Sequence, residues 1–400
     1  MKIAVLGFGT VGSGVYEVIE KNYDTIAKRA GQPIDIKYVL DLRDFPEHPV
    51  KEVLTHDYLD IINDSEVEIV VEVMGGVEPA YSFVKEALLK GKSVCTSNKE
   101  LVAKHGAELL EIAKQKKVNF LFEASVGGGI PIIRPLNQSL TVDEIEEITG
   151  ILNGTTNYIL TKMADEGVDF ASALKQAQEL GYAERKPDAD VEGYDACRKI
   201  AILTSLAYGS QVEYEQIYTE GITKITAVDF LYAKALDASI KLFGSSKKVN
   251  DQVYAMVAPK LILAKHPLFN VSGVFNGILV KGNMLGDVMF YGSGAGKLPT
   301  ASAVVSDVVD ATKHLGTNVM TLWSSKPLAL ADISTLETKF FVRVPLDQQE
   351  KAQNLFPIDQ VVSVQGVDDE FAFITEPVSE AEFKEKEAFL DIKNRIRVEF

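Results

Sequence analysis

Residues 181–199 read Gly-Tyr-Ala-Glu-Arg-Lys-Pro-Asp-Ala-Asp-Val-Glu-Gly-Tyr-Asp-Ala-Cys-Arg-Lys, and an apolar run, 200–207, follows at once. Asp195 and Lys199 stand four apart where that run begins. In a helix this spacing puts both side chains on one face, within reach of each other. A lysine held beside a carboxylate at the mouth of a pocket can move a proton to or from a reacting hydroxyl or carbonyl oxygen. Alone, the same pair describes an ordinary solvated ion pair worth about 0.3 kcal/mol. The rest of the chain decides between the two.

A second constellation lies at the N-terminus. Gly7-Phe8-Gly9-Thr10-Val11-Gly12 fits G-x-G-x-x-G, directly after an apolar strand and at the opening of a helix. The first glycine permits the tight turn and the second lets the backbone approach a pyrophosphate. The third lets helix pack on strand, so that the helix N-terminus faces the anion. An NAD or NADP site of Rossmann type is the expectation. The next strand ends Val39-Leu-Asp41-Leu-Arg43-Asp44. An acid there accepts from a ribose 2′-hydroxyl, whereas an arginine meets a 2′-phosphate. Asp41 therefore points to NAD and Arg43 to NADP, and the choice stays open. Lys99, in Thr96-Ser-Asn-Lys99, follows the fourth strand, where such sheets bind ligands and where a lysine could touch nicotinamide and substrate together.

The elements that must carry these residues are legible as alternating patterns. Lys2–Leu6, Asp35–Leu40, 68–73, Ser93–Thr96 and 118–122 read as strands, with helices at 11–30, 79–90 and 101–116 between them. Repeated strand–helix–strand units with Val/Ile-rich strands mean a doubly wound parallel α/β sheet covered on both faces. From about residue 131 the pattern changes to a strand at 146–152, helices at 156–166, 170–180 and 194–207, and strands including 252–257 and 277–280. That is an inserted α+β domain. Tyr291-Gly-Ser-Gly-Ala-Gly296 then leads into a helix, 301–315, returning to the first domain. The tail reads strand 339–344, helix 349–355, strands 360–364 and 370–374, helix 380–389 and strand 396–400. This is the ferredoxin-like order, with Ser324-Ser-Lys-Pro327 as a linker before it. The expected domains are 1–130 with about 291–320, then 131–290, then 338–400.

Four hundred residues exceed one simple core, and a net charge of −16 argues against a nucleic-acid partner. Two distant cysteines, Cys95 and Cys197, suit a reducing compartment rather than a disulfide framework. Cys197 is expected as a small packed side chain, and His56, His105 and His266 need no catalytic part. The apolar start, residues 1–6, is broken at once by glycines and acids, so it reads as a strand and not as a signal peptide. No apolar run reaches membrane-spanning length, and a cytoplasmic protein is expected.

Together these motifs resemble the homoserine dehydrogenases over most of the chain. The resemblance rests on the N-terminal fingerprint, Val71-Glu-Val-Met-Gly-Gly76, Ser97-Asn-Lys99, and Phe122-Glu-Ala-Ser-Val-Gly-Gly-Gly-Ile-Pro131. It continues through Gly150-Ile-Leu-Asn-Gly-Thr-Thr-Asn157 and Tyr291–Gly296. Its most specific element is Pro187-x-x-Asp190-Val191-x-Gly193-x-Asp195-x-x-x-Lys199. The resemblance implies NAD(P)-dependent interconversion of L-homoserine and L-aspartate 4-semialdehyde, in threonine, methionine and isoleucine biosynthesis. By position, it makes Lys199 the acid–base group, Asp195 its orienter and a substrate ligand, Glu184 the partner of the substrate's amino-acid end, and Lys99 a contact to substrate and cofactor. Gly181 would lie against cofactor or substrate. Cofactor contacts would come from Gly7 to Gly12, Arg43, Met74, Lys99 and Gly296. Glu123, Val126, Gly128 and Ile130 match a sodium loop in which a carboxylate and backbone carbonyls bind the ion, oxygen donors suiting a hard cation. The tail resembles an ACT-type module, implying either an amino-acid effector or a role in assembly.

The implied chemistry is consistent with the residue types. An aldehyde oxygen gains negative charge as hydride arrives, and an ammonium beside it stabilises that charge and then donates the proton. A free lysine titrates near 10.4. Burial or a cationic neighbour such as Lys99 or Arg198 would lower that value, while Asp195 would raise it. Two features depart from the family pattern: Lys186 stands before Pro187, and the segment after the second strand is one residue longer. The rival readings are a related dehydrogenase of another small amino acid or semialdehyde, and a cofactor-binding regulatory protein without turnover. A homodimer or homotetramer is expected from the strand edges that the central domain and the tail offer. A fused aspartokinase is not expected at this length.

Overall fold

The computed structural model describes residues 1–400 and divides into two compact units. The first comprises Met1–Glu144, Ala201–Tyr214 and Gly292–Leu328; the second comprises Ile145–Ile200, Glu215–Tyr291 and Ala329–Phe400.

The first unit is built on a six-stranded sheet in the order Leu54–Thr55, Asp35–Leu40, Lys2–Leu6, Val67–Glu72, Ser93–Thr96, Phe120–Leu121. All its pairings are parallel. Along Lys2–Leu6 both alternating sets of side chains are buried, Ile3 and Val5 on one face and Ala4 and Leu6 on the other. A sheet clad on both sides requires this, and each fully buried Val or Ile contributes about 2 kcal/mol. Ile3 and Val5 share a core with Val15 and Ile19 of the helix Thr10–Lys21, and with Val304 and Val308 of Lys297–Lys313. The late helix thus belongs to this unit, as its position after a Gly-rich turn suggested.

Two readings of this unit are corrected. The helix expected over 11–30 is two, Thr10–Lys21 and Tyr23–Ala30, broken at Asn22, whose ψ of 22° leaves the helical region. Asparagine competes for nearby backbone groups and so favours helix ends. The segment Ser324–Pro327, read as a linker, pairs in parallel with Ser210–Gln211.

The second unit carries an eleven-stranded sheet. Its main path runs Gly286–Ser293, Phe275–Gly282, Ile145–Ile151, Ala238–Val249, Gln252–Leu263, Asn394–Val398, Glu337–Pro345, Glu370–Thr375, Ile358–Val362. The last four are the tail's strands in ferredoxin-like order. Phe340, Phe356, Phe373 and Phe383 close the tail's own core against the helices Gln349–Leu355 and Glu380–Glu387. The tail is nevertheless not a separate body. Its final strand pairs with Gln252–Leu263 through Lys260↔Arg397 and Leu261↔Val398, so one sheet runs through both parts.

No helix is long and apolar enough to cross a membrane.

Candidate active site

In the first unit the Gly-rich turn sits at the carboxyl end of Lys2–Leu6, beside Val67–Glu72, where the strand order reverses. Gly7 adopts φ +97° and donates its N–H to Leu40 O at 2.8 Å. A Cβ on Gly12 would lie 2.0 Å from Gly7 O, so only glycine lets the helix start this close to the strand. A cavity of about 530 Å³ opens here, lined by Gly7, Gly9, Asp41, Arg43 and Met74 and walled by Leu40, Tyr58 and Phe83. Its size and glycine floor fit a dinucleotide half. Phe8, Thr10 and Val11 follow the same turn. Gly296, at φ +116°, precedes the helix Lys297–Lys313.

Asp41 and Arg43 are not alternatives but partners. Asp41 Oδ2 accepts the Phe8 N–H at 2.8 Å, and the Arg43 guanidinium grips both carboxylate oxygens at 2.9 Å. The arginine holds the Asp41 carboxyl well below the usual range. His56, given no role from sequence, lines the same cavity with Nδ1 2.6 Å from Asp41 O.

Glu72 is a further residue that sequence reasoning passed over. Fully buried, it accepts from Met74 N at 2.8 Å and from Thr96 Oγ1 at 2.6 Å. Burial pushes its carboxyl up against the pull of these bonds. Asn98 caps the helix Lys99–Lys116 by accepting from Leu101 N, and its amide donates to Gly76 O at 2.6 Å. Glu72 and Asn98 therefore fix both the Met74 loop and the turn that presents Lys99, the helix's first residue. An acid closing an apolar strand was the available signal.

The loop matched to a sodium site is closed by backbone hydrogen bonds to Glu123. The Glu123 carboxylate accepts the N–H groups of Ile132, Ile133 and Arg134 at 2.6, 2.8 and 2.8 Å. These bonds tie the carboxylate to the chain from Ile132 to Arg134 and so fix the loop that precedes it. Val126 and Ile130 are buried, and Gly128 turns at φ +56°. Beside this loop, burial and Glu123 push the Asp307 carboxyl up to about 8, with Arg134 opposing. No group of three or more His, Cys, Asp or Glu side chains gathers as a metal site.

The helix Tyr194–Tyr208 forms as the spacing predicted, and in its first turns, which belong to the second unit, Lys199 Nζ lies 2.8 Å from Asp195 Oδ2. Both residues are buried, at 7% and 3% exposure. This is not a solvated surface pair. Lys199 also donates to Leu152 O at 2.8 Å. Asn153, unassigned in the sequence reading, ties the group together. Its amide donates to Asp190 Oδ1 at 2.7 Å and Asp195 Oδ2 at 2.9 Å, while its carbonyl oxygen caps the helix Gly154–Glu166 through Thr156 N. A buried lysine nitrogen fixed by a carbonyl and a carboxylate can exchange a proton with a bound oxygen. Cys197 is buried and packed, as expected.

Glu184 lies exposed on the loop after Phe170–Glu179, with its backbone carbonyl held by Gln178 Nε2 at 3.0 Å. Gly181 is exposed at φ +74°, where it ends that helix. Lys186 is exposed.

Fold and site define a dinucleotide-dependent dehydrogenase with a lysine–aspartate pair. Residues 7–123 match the family described as homoserine dehydrogenase, NAD binding domain, and 131–309 that described as homoserine dehydrogenase. The homoserine dehydrogenase of Synechocystis sp. (strain ATCC 27184 / PCC 6803 / Kazusa) is 48% identical over 320 residues, 78% of this chain and 73% of that one. That of Bacillus subtilis (strain 168) is 44% identical over 318 residues, 79% and 73% of the two chains. The crystal structure of a homoserine dehydrogenase from Thiobacillus denitrificans matches with a TM-score of 0.90 at 37% identity, covering 100% of this chain and 98% of that one. A hyperthermophilic archaeal homoserine dehydrogenase in complex with NADPH matches with 0.67 at 30% identity, over 78% and 97%. The chain belongs to the homoserine dehydrogenase family, and it is an NAD(P)-dependent oxidoreductase with that activity.

Proposed function

We propose that the chain interconverts L-homoserine and L-aspartate 4-semialdehyde with Lys199 as the acid–base group. The observation that carries this is the buried Asp195–Lys199 pair, held also by Leu152 O. In oxidation Lys199, as the neutral amine, takes the hydroxyl proton and becomes the ammonium; in reduction that ammonium stabilises the developing oxyanion and protonates it. Asp195, steadied by Asn153, aims the lysine. The dinucleotide, when bound, takes or supplies the hydride at the substrate carbon. Gly7, Phe8, Gly9, Thr10, Val11 and Gly12 would cradle its pyrophosphate, with Met74, Lys99 and Gly296 as further contacts. Lys99 would also contact the substrate, and Gly181 would lie against substrate or cofactor. Nicotinamide absorbance followed during L-homoserine oxidation, with NAD and NADP run in parallel, tests the reading. Silence with both, in protein that binds cofactor, would overturn it.

NADP is the favoured cofactor, because Asp41 is committed to Phe8 N–H and presents Arg43 at the cavity rim. Arg43→Ala is expected to raise the half-saturating NADP concentration about tenfold or more, the worth of one charged hydrogen bond, with NAD nearly unaffected. Equal losses with both would mean that Arg43 serves only to hold Asp41.

Glu184 is assigned to the substrate's ammonium. Glu184→Ala is then expected to raise the KM for homoserine about tenfold with a smaller change in kcat. An unchanged KM would remove that role. A sodium ion at Glu123, Val126, Gly128 and Ile130 would be held by a carboxylate and backbone carbonyls. The tail is read as an ACT-type module open to an amino-acid effector or to assembly, and the enzyme as a homo-oligomer.

A further inference from the structure

The tail's last strand carries two arginines that converge on one carboxylate outside the tail. Arg397, 1% exposed, reaches Glu220 Oε2 at 2.8 Å and Glu380 Oε2 at 2.9 Å. Arg395 reaches the same Glu220 oxygen at 3.1 Å, and Tyr218 donates its hydroxyl to that oxygen at 2.9 Å. Three donors, Arg395, Arg397 and Tyr218, therefore hold one Glu220 oxygen. Breaking one side of such a buried network leaves charge uncompensated, so its geometry is strongly held.

What Glu220 belongs to gives the clamp a meaning. It follows the short strand Tyr218–Thr219, which pairs with Gln252–Leu263, and donates its own N–H to Val257 O at 2.8 Å. The next residue, Gly221, lies directly on the loop that precedes Asp195. A Cβ there would sit 2.1 Å from Val191 O and 2.5 Å from Glu192 Cα. Ile222 N–H then donates to the same Val191 carbonyl at 2.8 Å. From Val191 the chain runs through Gly193, whose carbonyl receives Cys197 N–H at 2.9 Å, into the first turn of the Asp195–Lys199 helix. Asp190, one residue before Val191, shares the Asn153 amide with Asp195.

We infer that Glu220 is a positioning residue for catalysis: clamped by Arg395 and Arg397, it sets the register of residues 218–222 against Val191–Gly193, and thereby the placement of Asp195 and Lys199. The tail strand is then part of the machinery that aims the catalytic lysine. The inference rests on the reading of Lys199 as the acid–base group.

The test uses the full-length enzyme and attacks the linkage at both ends. E220Q removes the charge that both arginines hold. G221A leaves the ion network intact and displaces the loop by steric contact alone. Both are expected to lower kcat about 10- to 100-fold and to shift the pH profile of kcat, because a misplacement near 1 Å is worth that much. NADP binding, followed by fluorescence, should change by less than about twofold, since the dinucleotide loop is held by separate contacts. R395M should give a smaller loss, and R395K should restore most of it by returning the charge. Where E220Q fails to fold, G221A and R395M carry the test. Wild-type kcat and pH profile in folded G221A and R395M overturn the inference, as does an equal fall in turnover and cofactor affinity. K199A is measured alongside. If it is inactive while the linkage variants are normal, only the linkage fails; near-normal K199A turnover overturns the reading of Lys199 itself.

Discussion

Lys199→Ala is expected to lower kcat by about three orders of magnitude while NADP binding stays within about twofold of the parent. Two contributions vanish together. The proton no longer has a carrier at the substrate oxygen, and the oxyanion of the reducing direction loses a cation in a dry setting where a charge counts for more than in water. The variant also leaves Asp195 buried at 3% exposure without its ion pair. Removing one member of a buried pair costs about 3 kcal/mol or more, so a lower melting temperature should accompany the kinetic loss. Stopped-flow absorbance on folded protein at saturating substrates separates the two effects. Turnover within about tenfold of the parent would mean that another group carries the proton.

Gly12→Ala is expected to be the most damaging single-methyl change in the cofactor site. The added Cβ would meet Gly7 O at 2.0 Å, and Val73 Cγ2 stands 3.3 Å away, so the helix Thr10–Lys21 must move off its strand. Overpacking of this kind costs about 1–3 kcal/mol in stability. The larger effect falls on binding, because the N–H groups that would meet the pyrophosphate move with the helix. NADP affinity should drop by about 100-fold or more, read by titration calorimetry, with the melting temperature of the cofactor-free protein falling only modestly. Normal affinity would mean that this turn does not hold the pyrophosphate.

Much of this was legible in the chain because the signals are local. Asp195 and Lys199 are four residues apart, and the strand Lys2–Leu6 with Gly7, Gly9 and Gly12 spans eleven. What stayed hidden depends on distant partners. Asn153 contacts side chains 37 and 42 residues away, so nothing near it in sequence distinguishes a plain helix cap from a residue that also ties Asp190 to Asp195. Glu123 is matched to a cation ligand by resemblance alone, and nothing near it in sequence shows that it also accepts backbone N–H groups nine to eleven residues on. The strand Ala238–Val249 was missed because Gly244, Ser245, Ser246, Lys247 and Lys248 dilute its pattern. There, pairing on both sides with Ile145–Ile151 and Gln252–Leu263 overrides propensity. Similarly, Ser324–Pro327 has the composition of a linker but the hydrogen bonds of a strand.

The place of the last strand has a consequence for how the protein is made. Asn394–Val398 lies between Gln252–Leu263 and Glu337–Pro345, so a strand made long after Gln252–Leu263 occupies the middle of a long sheet. Until residues 394–398 have been made, the Gln252–Leu263 edge has no neighbour at Lys260 and Leu261, and it stays open. An unpaired edge rich in Val, Leu and Ile invites pairing with another nascent chain. A premature stop near residue 390 should therefore yield aggregate rather than a slightly shortened enzyme.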